Sequence, residues 1–73
     1  MPYSYKKLLG KIVEVYGTQA KFAEALNLSE RSVSLKLNGK VEWKQGEMLD
    51  VSRLLHFPPS KIPEYFFTPE VQD

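Results

Sequence analysis

Between Thr18 and Lys40, two short apolar-periodic stretches are separated by only Asn27, Leu28 and Ser29. This spacing constrains the fold more than any other feature of the chain. Thr18 is placed to cap the first stretch, whose Phe22, Ala23 and Leu26 fall on one helical face. Ser29 caps the second, whose Val33 and Leu37 point inward before Asn38 and Gly39 stop it. The turn needs a left-handed residue, and Asn27 tolerates that conformation better than other non-glycine residues. A helix pair of this length and turn spacing is the unit that lays its second helix in the DNA major groove.

The remainder of the chain supplies a support for that pair. Its 73 residues are close to the size at which a single core gives only marginal stability. Ser4 is positioned to cap a first helix, with Tyr5, Leu8, Leu9, Ile12, Val13 and Tyr16 on one stripe and Gly17 beyond its end. Gly10 interrupts that helix at a cost of about 1 kcal/mol against Ala, which suggests close approach of another backbone. Glu42 to Lys44 reads as a connector. A fourth helix follows to His56, burying Met48, Val51 or Ser52, and Leu55, and Phe57-Pro58-Pro59 breaks it. Ser60 is placed to cap a last short helix, with Pro63 tolerable in its first turn. The expected organisation is one all-α domain over residues 1–73, with helices at about 4–16, 18–26, 29–37, 45–56 and 60–67 and a frayed tail at 68–73.

Composition narrows the chemistry. There is no cysteine, so disulfide and thiolate-metal frameworks are excluded. The lone His56, near a helix C-terminus, is a residue favoured by the dipole and makes no metal site. No Ser/His/Asp arrangement, phosphate-cradling glycine loop or apolar carboxylate pair is present, so the chain is expected to be neither enzyme nor cofactor carrier. With no bilayer-spanning apolar stretch and no signal-peptide pattern, it is expected in the cytoplasm, away from membranes. Net charge is only +1, but residues 1–44 hold eight Lys/Arg against four Glu, and residues 45–73 hold two against five acids. The basic half is the half with the helix pair, as a face addressed to phosphate requires.

The segment from Gln19 to Lys40, with the helix and the aromatic-rich short helix after it, resembles the Cro and repressor proteins of temperate phages. That is the five-helix, lambda-repressor-like helix-turn-helix class. Phe-Ala-Glu-Ala-Leu at 22–26 and Ser-Leu-Lys-Leu-Asn-Gly-Lys at 34–40 are similar in particular to small Cro-like proteins of Gram-positive phages. The likeness covers about residues 5 to 67. Phe22, Ala23, Leu26, Leu28 and Val33 match the motif's apolar or small positions. Lys36 stands where the family places a core aliphatic, which implies a slight rotation of the second helix or a distorted last turn.

By position, the resemblance implies that Glu30, Arg31, Ser34 and Leu35 face base edges. Gln19, Asn38, Lys40 and Lys44 would grip backbone phosphates. The physics fits several of these roles. Arg31 can pair bidentately with guanine, Leu35 can meet a thymine methyl or a protein partner, and Gln19 lies where a helix N-terminus favours an anion. Neutralising four to six phosphates would give a log K against log salt slope of roughly −4 to −5. Glu30 opposes this, since a carboxylate at the groove entrance repels phosphate unless a cytosine amino group donates to it. Trp43, Tyr65, Phe66 and Phe67 read as core, with one or two available to a dimer or heterodimer patch.

Two functions follow from these residues. The first is a Cro-like transcriptional regulator of the lytic/lysogenic switch, which binds double-stranded operator DNA through the second helix of the pair, as a homodimer where it dimerises. The alternative is an antirepressor, a modulator that uses the same face to cover the DNA-reading domain of a co-encoded phage repressor. On the sequence, operator binding stands ahead of partner capture.

Overall fold

A computed structural model describes residues 3–69. Five α-helices follow one another: α1 (Lys6–Tyr16), α2 (Gln19–Leu26), α3 (Glu30–Leu37), α4 (Gln45–Leu54) and α5 (Ile62–Phe66). A single 3-10 turn, Pro59–Lys61, leads into α5. The architecture is the all-α, five-helix one expected, and no strand occurs among the described residues.

Helix α2 is central, packing against α1, α3 and α4, while α5 closes over α1 and α4. Leu8 and Ile12 of α1, Phe22 of α2, Val33 of α3 and Val51 of α4 are fully buried in one cluster with Leu55. Each such side chain contributes about 1.5–3 kcal/mol by leaving water, which is how helices of 5 to 11 residues persist here. Ala23, 2 % exposed, is the small residue that lets neighbouring helices close on α2. Phe66 meets Trp43 edge-to-face at 5.2 Å, and Phe57 stacks on Tyr65 at 4.1 Å. The aromatic set thus divides: Trp43 and Phe66 are core, Tyr65 is half-buried, and Phe67 is exposed against Tyr3.

The ends of the helices follow from local chemistry. The Thr18 hydroxyl accepts from the Lys21 N–H at 3.2 Å and opens α2. Asn27 takes φ 63°, and the next amide, Leu28, reaches back to the Ala23 carbonyl at 3.0 Å. Gly39 after α3 and His56 after α4 repeat this left-handed closure, with Lys40 N–H on Leu35 O and Phe57 N–H on Ser52 O.

Five expectations need correction. Tyr5, and not Ser4, stands at the N-cap of α1; the Ser4 hydroxyl, one residue earlier, accepts only a long 3.4 Å hydrogen bond from the Lys6 N–H. Helix α4 ends at Leu54, two residues early, since His56 adopts φ 64° and turns the chain before the prolines do. Ser60 sits inside the 3-10 turn and caps nothing. The beginning of the expected frayed tail is held: Ser4 N–H donates to Thr68 O at 2.8 Å and Tyr3 bridges Pro69. Residues 70–73 of that tail lie outside the described residues. Finally, nothing lies within 4 Å of where a Cβ on Gly10 would sit, so no close backbone requires that glycine.

Gly10→Ala therefore gains helix propensity without a clash. It should stabilise the fold by about 1 kcal/mol, raising the thermal midpoint about 4–8 °C. A circular dichroism melt with an unchanged or lowered midpoint would show that α1 contributes no propensity-limited stability.

Candidate functional site

The three-residue turn between α2 and α3 leaves the outer face of α3 open. Ser29 opens the helix, its hydroxyl accepting from the Ser32 N–H at 3.1 Å and donating to the Ser32 hydroxyl at 2.9 Å. Val33 and Leu37 point inward. Since consecutive turns of a helix share a face, this inward pair directs Glu30 and Arg31 outward, with Ser34 and Leu35 half-buried at the edges. The four residues expected to read bases or meet a partner are accordingly one surface.

The four phosphate-contact candidates are placed differently. Gln19 is the first residue of α2, half-buried beside the Thr18 cap. Asn38 turns its amide onto the end of its own helix, donating to Ser34 O at 2.8 Å. Lys40 is exposed after the Gly39 turn. Lys44 is exposed at the start of α4, where its backbone N–H donates to Glu47 Oε1 at 2.9 Å.

Lys36 is the residue that departs most from its expected surroundings. Helix α3 stays regular through Leu37, so neither rotation nor a distorted turn is needed. Instead Lys36 is buried, 5 % exposed, with its stem in the core and its ammonium satisfied at the base of the connector. Its Nζ lies 2.9 Å from Glu47 Oε1, 3.0 Å from Glu42 O, and 5.7 Å from the centre of the Trp43 ring. Sequence reasoning missed Glu47 as its partner. The available signal was a lysine at an apolar position, which demands a carboxylate, and Glu47 at the third position of α4 was the one already directed back toward the connector.

Burial works to raise the Glu47 pKa, but the Lys44 N–H and the Lys36 ammonium outweigh it and hold the carboxyl below its ordinary 4.5. Elsewhere, the ion pair between Lys7 and Glu64 joins α1 to α5 and holds Glu64 below the ordinary carboxylate range. Exposed pairs of that kind add little stability.

The Lys36 pairing changes the electrostatics of the face. Between residues 27 and 44 the sequence carries Arg31, Lys36, Lys40 and Lys44 against Glu30 and Glu42. With Lys36 buried on Glu47, the exposed charges of residues 27–44 are three cations and two carboxylates, nearly balanced. Beyond α3, Val41 is 43 % exposed and its amide approaches Leu35 O.

Residues 1–69 match the family described as "Protein of unknown function (DUF739)". The chain belongs to this family. Among solved structures it is similar to the modulator of repression (MOR) of the temperate bacteriophage TP901-1 from Lactococcus lactis. The identity is 54 %, the TM-score is 0.81, and the match covers 99 % of this chain and 97 % of that one. No curated protein matches the chain. The likeness is thus to a phage regulator. The resemblance to phage switch proteins holds at that level, and the relative is a modulator of repression and not a Cro protein. No helix among the described residues is long and apolar enough to cross a membrane.

Glu47 is ionised in both folded and unfolded chains above pH 4.5, so its tie to Lys36 is at full strength there. The contribution is lost as pH falls from 4.5 through the lower folded value. Wild type should melt above Glu47→Gln at pH 6, and the two midpoints should converge as the pH drops well below 4.5. A gap that stays constant down to that pH would mean the carboxylate charge contributes nothing.

Proposed function

We propose that this protein is a phage modulator of repression that acts by protein contact, laying the outer face of α3 on the DNA-reading surface of a co-encoded repressor. The observation that carries the reading is the 54 % identity, over nearly the whole chain, to a phage protein described as a modulator of repression. It reverses the order of preference drawn from the sequence, in which operator binding stood first.

The charge on the face supports the same direction. A surface that reads DNA draws most of its affinity from neutralised phosphates, each adding roughly −0.9 to the salt slope. Arg31, Lys40 and Lys44 are the exposed cations of residues 27–44, and Glu30 and Glu42 work against them. Three such contacts give a slope of about −3 at most, short of the −4 to −5 expected of a full operator grip. A repressor's reading surface is itself basic, because it must hold phosphate. Against such a surface the two carboxylates become attractive, Leu35 and Val41 can supply apolar contact, and Arg31 is exposed on α3 for a carboxylate or a carbonyl. Electrostatic complementarity of this kind fixes partner choice and encounter rate.

The test uses fluorescence anisotropy of a labelled operator bound by the co-encoded repressor, titrated with this protein. The protein alone should leave the operator unbound at physiological salt, and adding it should release the repressor. Glu30→Lys or Leu35→Asp should weaken that release at least tenfold, since reversal or burial of a charge at an interface centre costs about 2 kcal/mol or more. Saturable, salt-sensitive operator binding by the protein alone, abolished by Arg31→Glu, would establish operator reading instead.

A further inference from the structure

Helix α3 carries the proposed contact face but has a narrow footing. Among the helices it packs chiefly against α2, with Val33 and Leu37 buried, while α4 packs against α2 and the α5 end of the molecule. Lys36 adds a direct polar tie from α3 to α4. Its ammonium bonds the Glu47 carboxylate of α4 and the Glu42 carbonyl of the connector. The same Glu47 oxygen accepts the Lys44 N–H. One buried knot therefore ties together the last turn of α3, the connector carrying Lys40 to Lys44, and the first turn of α4.

An aliphatic side chain at position 36 would fill the same space, and apolar replacement of a buried ion pair is often neutral or stabilising. What the apolar alternative lacks is direction. Two hydrogen-bonded acceptors on different elements admit one orientation of α3, whereas apolar packing admits several of similar energy. We infer that Lys36 and Glu47 are positioning residues, which fix α3 and the connector as one preformed contact face and set partner affinity without touching the partner. The inference rests on partner capture for its binding readout and on the structure alone for its positional one.

The test is the double variant Lys36→Met/Glu47→Gln. Methionine keeps the stem in the core, and the glutamine carbonyl still accepts the Lys44 N–H, so packing and the α4 cap survive. Its thermal midpoint should stay within about 5 °C of wild type, as apolar replacement allows. Backbone amides of Ser34 to Trp43 should shift in the nitrogen–proton correlation spectrum, and the Lys40 amide should exchange with deuterium at least tenfold faster. The amides of α1 should not change. Affinity for the co-encoded repressor should fall at least tenfold, although Lys36 offers a partner no exposed atoms of consequence. The single variant Lys36→Arg, which restores a cation with two donors, should recover part of both losses.

Wild-type exchange and unshifted amides in the double variant overturn the positioning role, as does outright unfolding, which would make the pair a stability element. A wild-type protein that fails to bind the repressor sinks the proposed function alone, because the exchange and shift data still decide what the pair does.

Discussion

The structure depends on a lysine placed in the core. A buried ammonium without partners is intolerable, and the fold meets it by converging Glu47 Oε1, Glu42 O and the Trp43 ring on one point. That convergence sets the course of the connector, which must pass its carbonyl beneath α3, and it sets where α4 begins. It also keeps the Trp43 ring of the connector against Phe66. The apolar contacts of Phe22, Val33 and Val51 supply the bulk of the burial, yet contacts of that kind are not directional. The polar knot gives α3 its register.

The same interaction shapes the surface by subtraction. A lysine counted toward phosphate affinity is withdrawn from solvent, and the acid that neutralises it lies outside the helix pair altogether. What remains outside is balanced in charge and bordered by Leu35 and Val41. A face of this composition is poor at holding a polyanion and well suited to a basic protein surface. The likeness to a phage modulator of repression places the chain among phage regulators.

Much of this was legible in the residues. The positions of Phe22, Ala23, Leu26, Val33 and Leu37 locate α2 and α3, and Thr18, Asn27 and Ser29 locate their ends, because capping and left-handed closure are local events. The outward Glu30 and Arg31, with Ser34 and Leu35 at the edges, follow from the inward pair. What was not legible was non-local or left-handed against expectation. His56 in a left-handed conformation ends α4 early. Tyr3 and Ser4 pair with Pro69 and Thr68 across the whole length of the chain, a contact with no periodic signature. Glu47 could be assigned to ordinary dipole compensation at a helix start, and only the fold shows the oxygen shared between Lys44 and Lys36. That hidden pairing removes one cation from the charge that residues 27–44 expose.

The most direct measurement is a nitrogen–proton correlation titration of the isotope-labelled full chain. The co-encoded repressor is added in one series and operator duplex in another. Protein capture predicts saturable perturbation or broadening at Glu30, Arg31, Ser34, Leu35 and the 40–44 connector on adding repressor, with only diffuse, salt-abolished shifts on adding duplex. Saturable, sequence-dependent perturbation of α3 by the duplex, together with an unperturbed spectrum in the presence of repressor, would contradict it.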